Sequence, residues 1–413
     1  MSSLFSWLRK PFRKTERPQR AASAPQRAVT GEVSAKVRAE VSALPSTRFA
    51  FSLFEALRPG DRNLAISPYS ARVVLAMLWE GATGETRKSM LETLHLDENP
   101  DSHANRYERL GRPPGSLLKT DRQELEMITA NSLWCDQGFE PKEEYMKTLE
   151  EHYWAEVQTL DFHAPDSASR VNRWAHEKTR GRIPTVVDSL GRLSPLVTMN
   201  AVYFKGLWVK PFELRETQEE EFTLQDGAKQ LVPLMRQSGK YRYAEGGGAQ
   251  IVRLPYKSSM SMCVVLPPKD MPFPKFCAEM TNTVGTSWTR AMGERKGHLR
   301  LPRFRIETQA DLSAPLKALG MSEVFDPARA TLEGISERKP LYLMGVMQKD
   351  FVEVNEEGTE AAAVTHLVLG APLNPPPPPP PFEMIVNRPF VFAICDDFSG
   401  VVVFLAAVVD PLS

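Results

Sequence analysis

The stretch NRPFVFAICDDFSGVVVFLAAVVDP, residues 387–411, holds two apolar runs separated by a short polar pause. Phe390–Cys395 and Val401–Val409 are apolar at nearly every position, without the alternation of a strand that has one wet face. Both therefore read as strands buried on two faces, joined by the turn DDFSG. Working back along the chain, SPLVTMNAVYFKGLW (194–208) has the β-branched and aromatic mixture of another buried strand. ISPYSARVVLAMLWEGATGET (66–86) reads differently. Ser67 can cap a helix, Pro68 suits its first turn, Val73, Val74, Met77 and Leu78 recur at helical spacing, and Gly81 can end it. Helical patterns dominate the first half and strands the second, an order that predicts an α+β domain rather than a doubly wound sheet.

The chain has 413 residues, 42% of them apolar and 25% charged, enough to bury a large core. Lys plus Arg equals Asp plus Glu at 51 each, so no global field points to nucleic acid. The local exception is the N-terminus, where seven basic side chains stand against Glu16 alone within residues 1–30. Residues 1–44 read as a basic, disordered tail, with weak contact to a membrane surface as the alternative. Pro11 and Pro18 would break any helix there. The apolar residues of MSSLFSWLRKPFRK precede the charges, the reverse of an export signal, and no transmembrane span is present. An intracellular location is the expectation, with secretion as the alternative. Cys135, Cys263, Cys277 and Cys395 have neither metal spacing nor disulfide density and read as reduced, mostly buried thiols.

Catalytic signals are missing from the sequence. There is no Gly-x-Ser-x-Gly elbow, phosphate loop or dinucleotide fingerprint, and HEKTR at His176 lacks the second histidine of a zinc helix. The seven histidines are scattered. Neither a metal nor a cofactor is expected, and the chain does not read as an enzyme.

From about residue 46 to 413 the chain resembles the serpins, through a set of motifs standing in that family's order. These are ISPYS (66–70), GATGET (81–86), NRWAHEKTRGRI (172–183), NAVYFKGLWVKPF (200–212), LPRFRIE (301–307), DLSAPLKALGMSEVF (311–325), FVEVNEEGTEAAAVT (351–365) and the C-terminal stretch quoted above. The resemblance implies a domain over 45–413 with three β-sheets, eight or nine helices and an exposed reactive-centre loop, here about 356–386. It also implies a suicide-substrate inhibitor of serine endopeptidases, with cysteine proteases as a further class. A protease cleaves the loop, which enters the central sheet as a new strand and traps the acyl-enzyme. The expected partner is that protease, held covalently by a monomer. A non-inhibitory binding or chaperone protein is the alternative.

The loop can be judged on its residues. A segment that becomes a central strand buries alternate side chains. One face carries Thr359, Ala361, Ala363, Thr365, Leu367 and Leu369; the other carries Glu360, Ala362, Val364, His366 and Val368. The first face is small, then apolar, and free of charge. Burying an unpaired charge would cost several kcal/mol, so an inward Glu or Arg would stop insertion. Gly358 gives the backbone freedom at the hinge.

Counted from the hinge as in typical inhibitory serpins, the resemblance implies cleavage at Pro372–Leu373. Serine proteases accept proline poorly on the acyl side, so Leu373–Asn374 is the leading bond and Leu369–Gly370 the other alternative. Ala-Pro-Leu before that bond suits chymotrypsin-, elastase- or subtilisin-like pockets. Pro375–Pro381 follow the cut and need never enter a sheet. As a polyproline helix they would span about 20 Å at ~3.1 Å per residue. The family loop is usually about six residues shorter here.

The resemblance also assigns Ser67, Ser70 and Asn200 to the shutter that controls opening of the central sheet. Gln348 stands where the family usually has histidine; it can donate and accept but not titrate. Trp208 matches the breach tryptophan, where the loop first enters, and Glu356 the hinge glutamate.

Overall fold

The computed structural model describes residues 45–57, 62–96, 125–153, 155–181, 183–190, 196–280, 292–357, 379–397 and 399–413. The two C-terminal runs are strands, β13 (Phe390–Asp396) and β14 (Val402–Val408), paired antiparallel with a register shift at Ile394/Cys395. Every residue of β14, and of β13 as far as Ile394, is buried. The turn between them is closed by Asp396, whose carboxylate accepts the Ser399 N–H at 2.7 Å, and by Gly400 at φ 71°.

On its other side β14 pairs with β1 (Leu64–Ile66), while β13 pairs with β8 (Met260–Leu266). β8 in turn pairs with β7 (Ala249–Pro255). The path then passes to the 18-residue strand β6 (Lys229–Gly246), which belongs to two layers. Its last residues, from Arg242, pair with β7. Leu234–Tyr243 pair with β9 (Gly293–Pro302), and its start pairs with β5 (Gln218–Thr223). β12 (Phe382–Ile385) closes the far edge beside β9. The nine-stranded path is thus two sheets sharing β6. The third sheet has five strands in the order β10 (Phe304–Asp311), β11 (Met347–Val354), β4 (Leu196–Gly206), β2 (Leu125–Asp136) and β3 (Glu156–Leu160).

Seven α-helices lie among the described residues: α1 (Pro45–Ala56), α2 (Pro68–Glu80), α3 (Gly84–Leu94), α4 (Glu143–Tyr153), α5 (Ser167–Lys178), α6 (Phe273–Met280) and α7 (Ser313–Ala318). Five precede residue 179 and ten strands follow residue 217, the α+β order expected from the sequence.

Helix α2 is the hub. Ser67 is its N-cap, Pro68 begins it, and the Gly81 N–H closes it onto the carbonyls of Leu78 and Trp79. Every residue from Pro68 to Trp79 is buried, so this helix runs through the core rather than over it. Its one buried cation, Arg72, donates to the carbonyls of Leu94 and His95 and satisfies the end of α3. All four cysteines are free, and three of them are buried. Burial pushes the Cys263 thiol up to about 11 and those of Cys135 and Cys277 to about 12, which makes them unreactive.

Candidate functional site

Within the five-stranded sheet the pairings are unequal. β2 and β4 run antiparallel in register from Leu125↔Gly206 to Cys135↔Leu196. β10 and β11 pair antiparallel along the whole of both strands. Between them β11 and β4 are parallel and in register over four pairs only, Lys349↔Ala201 to Val352↔Phe204. Parallel pairing is the weaker kind per residue, and this seam is one pair shorter than the sheet's other parallel pairing, β2 with β3, which runs from Ser132↔Glu156 to Asp136↔Leu160.

Side-chain alternation in β11 places Gln348, Asp350, Val352 and Val354 inside. At the lower end of the seam these meet the start of α2. Gln348, 3% exposed, donates from Nε2 to the Ser67 carbonyl at 2.8 Å. Ser67 Oγ accepts the Ser70 N–H at 3.3 Å. Beside them Thr308 of β10, the register partner of Asp350, accepts the Ala65 N–H at 2.9 Å. Asn200 lies in β4 opposite Asn131 of β2. The seam therefore brings Ser67, Ser70 and Gln348 together, with Asn200 on a neighbouring strand.

Asp350 was not anticipated. It is wholly buried, and neither carboxylate oxygen has a hydrogen-bond partner; Ser70 Oγ and Gln348 Oε1 also lack one. Burial pushes the Asp350 carboxyl well above the usual carboxylate range, and the Ser67 backbone N–H offsets this only in part. A signal was present in the sequence: in QKDFVEV the aspartate shares parity with Val352 and Val354. An inward strand face fixed by valines obliges the same-parity residue to be inside.

At the upper end β11 runs into Asn355-Glu356-Glu357, held by groups from distant parts of the chain. Trp208, 3% exposed, donates its indole N–H to the Asn355 carbonyl at 3.0 Å. Its ring stacks on Tyr256 with centroids 4.3 Å apart and planes at 13°. Gly206 permits that packing, because a Cβ there would lie 2.5 Å from the Tyr256 ring. Glu356, 6% exposed, accepts the Thr217 hydroxyl at 2.7 Å and pairs with Arg303 at 3.3 Å. Lys205 approaches Glu357 at 3.9 Å. The structure thus joins Trp208 and Glu356 at one end of β11. It adds Thr217, Arg303 and Tyr256, which no local pattern marked.

Gly358, Thr359, Glu360, Ala361, Ala362, Ala363, Leu369, Gly370, Pro372, Leu373 and Asn374 lie outside the described residues, as do Pro375–Pro378 and residues 1–44. The chain is described again from Pro379, and Pro379–Pro381 are exposed. Here Arg295 Nε donates to the Pro380 carbonyl at 3.0 Å. Phe382 lies flat on Tyr243 with centroids 3.8 Å apart, over Gly297, where a Cβ would meet the ring at 2.3 Å. Nearby, burial works against the Glu220 anion, but hydrogen bonds from Arg236 and Arg300, each at 2.8 Å, outweigh it and hold the carboxyl below its usual range.

A family model described as "Serpin (serine protease inhibitor)" matches residues 45–411. A Thermococcus kodakarensis "Uncharacterized serpin-like protein" is 32% identical over 366 residues, covering 88% of this chain and 84% of its own length. A Xenopus laevis "Leukocyte elastase inhibitor" is 32% identical over 361 residues, covering 84% and 93%. The crystal structure of Serpin48 from the insect Tenebrio molitor superposes with a TM-score of 0.75 at 27% identity, covering 89% of this chain and 97% of that one.

Proposed function

The chain belongs to the serpin family, and from that premise we propose that it is a suicide-substrate inhibitor of serine endopeptidases with chymotrypsin-, elastase- or subtilisin-like pockets. The observation that carries the reading is the seam. Because β11 and β4 are parallel, a strand that turns back from the end of β11 would run antiparallel to both. Insertion there replaces one short parallel pairing with two antiparallel ones, each new hydrogen bond contributing ~1 kcal/mol net. Antiparallel partners share a face. A return that sets odd-numbered loop residues opposite the even-numbered inward residues of β11 places Thr359, Ala361, Ala363 and Thr365 inside and leaves Glu360 and His366 out.

In this reading Glu356, Gly358, Thr359, Glu360, Ala361, Ala362 and Ala363 form the hinge. Trp208 and Glu356 hold its base, and Ser67, Ser70, Asn200 and Gln348 secure the seam below. The protease cleaves Leu373–Asn374, with Pro372–Leu373 and Leu369–Gly370 as the competing bonds. Pro375–Pro381 act as a stiff spacer on the leaving side, anchored where Arg295 and Tyr243 hold Pro380 and Phe382.

Mixing the protein in turn with chymotrypsin, an elastase and subtilisin tests this. The expected result is an SDS-stable complex and a released C-terminal peptide beginning at Asn374. A peptide beginning at Leu373 or Gly370 moves the bond but keeps the mechanism. Cleavage by every protease without complex and without residual inhibition overturns the inhibitor and leaves a binding role.

A further inference from the structure

Asp350 is the one wholly buried carboxyl among the described residues, and it sits on the strand that forms the short parallel seam with β4. Its neighbours can be named element by element. On β11, Gln348 and Val352 share its face, while Lys349 points the other way and pairs with Glu307 of β10 at 3.0 Å. The inward face of β10 is Phe304, Ile306, Thr308 and Ala310, without a titratable group; Arg305, Glu307 and Asp311 are on the exposed face. β1, which packs on β11, is Leu-Ala-Ile. The start of α2 offers Ser67 and Ser70, and the guanidinium of Arg72, the cation of that first turn, is bonded to the carbonyls of Leu94 and His95. The register partner on β4 is Val202.

No cation among these described groups pairs with the carboxyl. The Ser67 N–H and the helix N-terminus favour the anion, but neither oxygen closes a hydrogen bond of ordinary geometry. An ionised carboxylate can only accept; a neutral one also donates. The unpartnered groups at the same end of the seam are Gln348 Oε1, an acceptor, and Ser70 Oγ, a hydroxyl that can accept or donate. A proton on Asp350 removes the buried charge that no cation compensates and adds a donor to this set.

We propose that Asp350 carries a proton in the closed sheet and is a positioning residue that latches β11 to the start of α2, so that losing the proton loosens the β4–β11 seam. The sign follows from linkage. In an opened, hydrated seam the group returns to about 3.9, the value of a free aspartate. Between that value and the higher one of the closed sheet, the closed state holds a proton that the open state has released. The opening constant therefore rises with pH, by up to about tenfold per unit, until Asp350 ionises in place. The seam is tightest in acid and loosens toward alkaline pH. Gln348 adds no opposing titration.

Hydrogen exchange of the intact full-length chain between pH 5 and 8, corrected for the intrinsic pH dependence of exchange, reads this directly. In wild type, amides of β4 and β11 should open more readily as pH rises, while those of β13 and β14 stay flat. Asp350→Asn, which is neutral at every pH, should give a flat seam profile and slower seam exchange than wild type at pH 8. An infrared carbonyl band of a protonated acid at pH 7, lost in Asp350→Asn and Asp350→Ala, is the second readout. A flat wild-type profile, equal changes at β13 and β14, or parallel profiles in wild type and Asp350→Asn would each overturn the latch. If both variants fail to fold, the wild-type profile and band still decide. None of these readouts involves a protease, so the latch and the inhibitor reading can fail separately.

Discussion

The β8–β13–β14 block and the β4–β11 seam are built from opposite choices. In the block, strands pair antiparallel over their full length, and β14 and β8 are buried at every position. Phe390, Phe392 and Phe404 are all 0% exposed, and Phe404 packs on Phe204 of β4 with centroids 5.9 Å apart. At the seam the pairing is parallel and short, and its inward face includes Gln348 and Asp350 instead of hydrocarbon. A buried apolar strand releases free energy in proportion to its area, whereas a buried polar group contributes only if its partners are complete. The block is made to stay closed. The seam has specific polar contacts at its two ends, Gln348 to the Ser67 carbonyl and Trp208 to the Asn355 carbonyl.

Breaking the block should have the largest effect. Phe404→Ala leaves a cavity beside Phe204 and should cost about 3–5 kcal/mol in urea unfolding. A loss below ~1 kcal/mol would mean that the block is not the stabilising half. Charging the inserted face should come next. Thr365→Arg buries a cation on insertion and should reduce complex formation with the target protease on the order of 100-fold, turning the loop into a substrate while native stability is unchanged. Complex yield equal to wild type would remove the seam from the mechanism.

Two smaller changes probe the upper end of the seam. Gly206→Ala drives a methyl into the Tyr256 ring, where the Cβ would lie at 2.5 Å, and should cost about 1–3 kcal/mol. Trp208→Phe keeps a ring on Tyr256 but loses the hydrogen bond to Asn355, about 0.5–1.5 kcal/mol. That loss should appear as faster exchange at the end of β11 without change in β13 or β14. Equal exchange in both regions would erase the distinction between them.

Much of the block was legible from residues alone. Continuous apolar runs around DDFSG dictate two doubly buried strands, because no alternation leaves a face for water. Ser67-Pro68 and Gly81 bounded α2 correctly, since capping is a local property. The motifs in order, from ISPYS to the C-terminal strands, carried the family, and with it the three sheets, two of which share β6.

The candidate site was legible only in part. Trp208 and Glu356 came from motif positions, and the even parity of Gln348, Val352 and Val354 already obliged Asp350 to point inward. Its partners did not follow from the sequence. Thr217 lies 139 residues from Glu356, and Trp208 lies 147 from Asn355. Local propensity and periodicity describe neighbours within a few residues. Which carbonyl faces the indole, which cation reaches Glu356 and which donors fail to reach Asp350 depend on how β4, β10, β11 and α2 stack. Sequence alone determined which strands must be dry and where α2 begins and ends. The tertiary structure decided which buried polar groups found partners, because only closing the sheet against α2 brings those groups within hydrogen-bonding distance.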